Sequence, residues 1–113
     1  MNQGRRLTDA LPVAVAFEFE PHVSLTDAEM SLHLAMFAAE GLFGRAQVRL
    51  DTDYELDEPQ HRIVVDAESE VGAVLVRVFT ALLLREFGED SFRIRRGTAI
   101  ERPAQQTERT VPA

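Results

Sequence analysis

The sequence predicts an α+β domain: a four-stranded antiparallel sheet with two helices on one face. Three observations predict it. Short runs alternate apolar and polar residues with a period of two, as strands with one packed face do. Two longer apolar stretches carry capping residues before them and a glycine after them. The order of these segments is strand, helix, strand, strand, helix, strand.

Each element has its own signal. From Pro12 onward, Val13, Val15, Phe17 and Phe19 fall in one phase and Ala14, Ala16, Glu18 and Glu20 in the other. Pro21 ends this first strand. Thr26-Asp27-Ala28-Glu29 reads as a capping box, flanked by Leu25 and Met30 as a hydrophobic staple. The helix it opens runs to about Leu42, where Gly41 or Gly44 terminates it. Residues 45–56 alternate again and predict a second strand. Ala46, Val48, Leu50, Thr52, Tyr54 and Leu56 would face inward, with Arg45, Gln47, Arg49, Asp51, Asp53 and Glu55 outward. Asp57-Glu58-Pro59-Gln60 is the expected turn, and His61 to Ala67 the returning strand. Ser69 or Asp66 caps a long second helix that Gly88 closes. Phe92 and Ile94 then alternate with Arg93 and Arg95 in a last strand. The expected organisation is a flexible leader at 1–11, one domain at 12–97 and a flexible tail at 98–113.

Right-handed crossovers favour a ferredoxin-like split βαβ sandwich with spatial order 4-1-3-2. On its open face Glu18 and Glu20 would adjoin Arg93 and Arg95, while Arg45 and Arg49 would adjoin Asp66. Opposed charges on neighbouring strands are worth about 0.2–1 kcal/mol per pair. With strands 1 and 3 running parallel, His22 and His61 fall at opposite ends of the sheet.

Composition narrows the function. The chain has 113 residues, enough for one real core, and no cysteine. Disulfides, thiolate metal sites and cysteine nucleophiles are therefore excluded. A cysteine-free chain suits a reducing cytoplasm, the expected location. A net charge of −7 argues against general binding to nucleic acid, which depends on neutralising phosphates. Arg77 interrupts the apolar run 71–84, which is too short to span a bilayer, so no membrane partner is expected.

Motifs for chemistry are absent. No HxH, HxxxH or HExxH spacing joins His22, His33 and His61, and no metal or other cofactor is expected. Ser24, Thr26 and Ser69 stand where helix caps belong. There is no GxSxG elbow and no phosphate-binding loop. Asp51, Asp53, Glu55, Asp57 and Glu58 read as a charged hairpin tip. His22 is the best acid–base candidate. With Ser24 and Glu68 it marks a candidate ligand end, which would serve either a small-ligand regulatory domain or a small enzyme.

Proteins that share the ferredoxin-like topology offer a comparison over roughly 12–96. Heavy-metal carriers of the fold use paired cysteines, missing here. RNA-recognition modules display aromatics on the open sheet face, whereas Phe17, Phe19, Phe92 and Tyr54 lie in the core phase. Acylphosphatase-like enzymes place a glycine-rich loop after strand 1, where this chain has Glu20-Pro21-His22-Val23-Ser24. The resemblance is one of topology alone.

One property remains. Both helices carry more apolar surface than a single sheet face absorbs. In the first, Met30, Leu34, Phe37 and Ala38 form the stripe expected on the sheet. Leu32, Ala35, Met36, Ala39 and Phe43 widen it. In the second, Val71, Val74, Leu75, Val78, Ala81 and Leu82 supply one wide face, and Val76, Phe79, Leu83, Leu84 and Phe87 extend around the rest. The eight outer residues larger than alanine are the expected interface of a homo-oligomer, most simply a dimer. The expected function is accordingly a non-catalytic assembly or accessory role.

Overall fold

The computed structural model describes residues 13–97. Strands β1 (Ala14–Phe19), β2 (Tyr54–Asp57), β3 (Arg62–Asp66) and β4 (Phe92–Gly97) form one sheet in the order β2-β3-β1-β4. Helices α1 (Leu25–Phe43) and α3 (Glu70–Phe87) pack together over one face, and a short helix α2 (Arg45–Asp51) follows α1. The architecture is consistent with a ferredoxin-like α+β fold carrying three helices instead of two. The expected leader at 1–11 and tail at 98–113 lie outside the described residues.

The core follows the strand phases read from the sequence. Val15, Phe17 and Phe19 of β1 and Ile63 and Val65 of β3 are buried against Leu32, Leu75, Phe79 and Leu83 of the helices. Phe17 and Phe79 meet edge to face, 4.7 Å between ring centroids, and fill its centre. The opposite sheet face also holds a small buried cluster of Ala14, Ala16 and Val64. Glu18 stands opposite Arg93 in register and binds Arg95 at 3.1 Å, the charge pairing expected between β1 and β4.

Caps set the helix ends. The α1 cap is Ser24, whose hydroxyl accepts from the Asp27 amide at 3.2 Å, two residues before the expected Thr26. Ser69 caps α3 by accepting from Gly72 N–H at 2.9 Å. Gly44 and Gly88, with φ of 88° and 90°, end α1 and α3 in a conformation that side chains resist.

Three expectations are corrected. Residues 45–51 form α2, and only Tyr54–Asp57 pair as β2. The alternation of Ala46, Val48 and Leu50 imitates a strand, but Arg, Ala, Gln and Leu are helix formers, and Gly44 frees the chain to turn. The Gln47 amide donates to the Asp51 carboxylate at 2.7 Å across one helical turn. Only Val48 is buried, against Ala39 and Val71, so Arg45 and Arg49 do not adjoin Asp66 on a strand.

The second correction concerns direction. β1 and β3 pair antiparallel, Val15 opposite Val65 and Glu18 opposite Arg62. A chain that crosses back through α1, then reverses at the β2–β3 hairpin, must bring β3 down where β1 went up. His61 therefore lies at the same end as His22. Phe19 N–H donates to the His61 carbonyl at 3.0 Å, and His61 Nε2 meets the Val23 carbonyl at 2.7 Å. A carbonyl only accepts, so Nε2 carries the proton.

The third correction is the face of α1. Ala28, Leu32, Ala35 and Ala39 point inward, whereas Met30, Leu34 and Phe37 point outward. The small residues let the helix approach closely over the bulky Phe17 and Phe79. In α3, Val76, Phe79 and Leu83 join Val71 and Leu75 in the core.

Candidate functional site

A row of exposed apolar side chains lies on the outer side of α1. Met30, Leu34 and Phe37 are 58, 59 and 73% exposed, and Leu42, near the end of the helix and turned away from that row, is 71% exposed. Met30, Leu34 and Phe37 follow the i, i+4, i+7 spacing of a single helical face. Ala38 and Gly41, both exposed, stand beside them. This helix is apolar on both of its faces, a pattern that belongs to helices covered on both sides. The outer side of α3 differs: Ala73, Arg77, Ala81 and Arg85 are exposed there, and Leu84 is its one large exposed apolar residue.

The expected interface residues are thereby redistributed. Leu32, Val76, Phe79 and Leu83 are buried in the domain's own core, and Met36, Phe43 and Phe87 are half-buried against it. Leu84 alone of the eight is exposed. The apolar excess read from the sequence exists, but on the opposite face of α1. Hydrophobic periodicity finds such a face without saying which of two apolar faces the sheet takes.

A polar network borders this surface. Tyr54 of β2 donates its hydroxyl proton to Glu29 at 2.8 Å, and His33 Nε2 lies 2.9 Å from the same oxygen. Glu29 and His33 are one turn apart on α1, with 3.7 Å between the carboxylate and the imidazole. Burial, the hydrogen bond to Glu29 and that carboxylate's charge push the Tyr54 phenol up to about 12. A neutral phenol held this firmly is a fastener between β2 and α1, not a proton donor near neutral pH.

The expected ligand end does not assemble. His22 and Ser24 follow the end of β1, while Glu68 follows the end of β3, which pairs with the start of β1 through Asp66 and Ala14. Half a dozen strand residues at about 3.3 Å each separate the two ends. Ser24 is occupied as a cap. Glu68 instead lines an open concavity of about 600 Å³ with Leu50, Asp51, Thr52, Asp53, Asp66 and Ser69. Ser69 there donates to the Asp51 carbonyl at 2.8 Å while it caps α3. Among the described residues no three His, Asp or Glu side chains gather to hold a metal ion. No helix among them is long and apolar enough to cross a membrane.

The fold defines a small α+β sandwich, and its most distinctive surface is an apolar helix face with a hydrogen-bonded polar border. No protein family, curated protein or solved structure matches the chain.

Proposed function

We propose that this protein is a self-associating interaction module whose working surface is the outer face of α1. The single observation that carries this reading is the row Met30, Leu34 and Phe37, exposed on a helix whose other face is core. Together these three present on the order of 400 Å² of apolar surface, the size of patch that is often functional on a small protein. Covering it removes several kcal/mol of unfavourable hydration, at roughly 25 cal/mol per Å². The Glu29–Tyr54–His33 border holds α1 against β2, so the surface is rigid before it meets its partner.

A second copy is the occupant, because the face contains both large and small residues and complements itself. The role that follows is assembly: the domain joins two chains, or whatever those chains carry. Sedimentation velocity across a micromolar concentration series tests this. A reversible monomer–dimer shift is expected. A single monomer species throughout would overturn it.

A further inference from the structure

The face of the sheet turned away from the helices is buried, although the helices lie on the other side. Ala14 and Ala16 of β1 and Val64 of β3 point to it and are 3, 0 and 1% exposed. Asp57 and Arg62, on the same face, are buried as well. The sheet's own side chains leave Ala14 without cover: it stands between Asp66 and Gly97 in register, and Gly97 has no side chain to offer. Among the described residues no element crosses this face. Two segments of the chain remain as candidates for the cover, residues 1–12 and 98–113.

Position, charge and length favour 1–12. β1 is an inner strand and starts at the buried patch, whereas β4 ends on the edge of the sheet. The Val13 carbonyl still accepts from Ala67 N–H at 2.8 Å, but Pro12 has no N–H with which to prolong the ladder. The β2 side of the face is acidic. Glu55 faces Val64 in register, and one of its carboxylate oxygens is buried with no hydrogen-bond partner among the described residues. A buried carboxylate left in that state is costly, and a guanidinium satisfies it. Residues 1–12 bring Arg5 and Arg6 against the single acid Asp9. Residues 98–113 balance Arg102 and Arg109 with Glu101 and Glu108, and they follow a strand that already carries Arg93 and Arg95. β2 lies two strand spacings from β1, about 10 Å, and the eight steps from Arg6 to Ala14 reach up to about 26 Å. Leu7, Ala10 and Leu11 fall along that stretch, apolar residues for an apolar patch.

We propose that residues 1–12 cross the open face of the sheet as a strap, with Leu7 and Leu11 over Ala14, Ala16 and Val64. Arg5 and Arg6 then reach the Glu55 carboxylate at the β2 edge. The contact is made within one chain and stands whether or not the protein self-associates. It keeps the second face of the sheet from stacking on another molecule and leaves association to α1.

The chain has no cysteine, so a nitroxide can be attached at one chosen position in the intact protein. Gln3→Cys and Thr107→Cys carry it in the two candidate segments. With the label at position 3, paramagnetic broadening of the Ala16, Val64 and Glu55 amides should exceed that of Leu34 and Phe37 several-fold. With the label at position 107 it should not. Broadening of the sheet amides from position 107 alone, or from neither position, would overturn the proposal. So would the same broadening in an isotope-labelled, unmodified chain mixed with spin-labelled ones, because a second copy would then be the cover. Arg5→Glu with Arg6→Glu should cut the broadening from position 3 several-fold while circular dichroism stays unchanged. Undiminished broadening in that variant would refute the pairing with Glu55.

Discussion

The Tyr54 hydroxyl donates a 2.8 Å hydrogen bond to the Glu29 carboxylate, and this bond joins the edge strand β2 to the first helix. Tyr54 is the only tyrosine in the chain, so its ionisation is directly visible in the ultraviolet. The folded protein should titrate with a midpoint near 12 instead of the ordinary 10. The folded state holds this proton more tightly than the unfolded state. The contribution is therefore complete below about pH 10 and lost as pH rises through about 12. Glu29→Gln should move the midpoint back toward 10. A wild-type midpoint at 10 would mean that the bond does not form.

Asp57 and Arg62 face each other across the β2–β3 hairpin, with Arg62 Nε 2.8 Å from Asp57 Oδ2 and both side chains buried. Asp57 also receives the Gln60 amide at 3.3 Å. Removing one member of a buried pair strands the other, so Asp57→Ala should cost about 3 kcal/mol. The more exposed Glu18–Arg95 pair is solvated, and Glu18→Ala should cost less than about 1 kcal/mol. Urea denaturation of both variants checks the ranking, and equal losses would contradict it.

Two helical glycines should respond in opposite ways to alanine. At Gly72 an added Cβ would run into the Asp66 carbonyl, where α3 leaves the end of β3. Gly72→Ala should therefore destabilise by about 1–3 kcal/mol, despite alanine's better helix propensity. At Gly41 the space is open. Gly41→Ala should raise the stability of the monomer by up to about 1 kcal/mol while weakening self-association. Thermal unfolding at low concentration, set beside sedimentation at high concentration, separates the two effects.

The sheet was legible because β1 and β3 alternate over bulky residues that tolerate one phase only: Phe17 and Ile63 cannot share a face with Glu18 and Arg62. Ser69, Gly44 and Gly88 were legible as helix ends because each does a job that few residues do. Residues 45–51 were not, since a seven-residue helix contacting the core mainly through Val48 shows no helical stripe. The inner face of α1 was hidden for a related reason. Ala28, Ala35 and Ala39 carry little hydrophobic weight, yet they face the core because bulk from Phe17 and Phe79 already fills it. The Tyr54–Glu29–His33 network joins residues up to 25 positions apart, and only the fold brings them together.

In the proposed dimer the outer face of α1, and not that of α3, joins two copies. The most direct test is molar mass by light scattering for three proteins at one micromolar concentration: wild type, the double variant Leu34→Glu/Phe37→Glu, and Leu84→Glu. All three substituted positions are exposed, so the fold should survive, as circular dichroism would verify. Wild type and Leu84→Glu should each weigh twice 12.7 kDa, and the double variant 12.7 kDa. A double variant that stays dimeric, or a wild type that is monomeric, would contradict it.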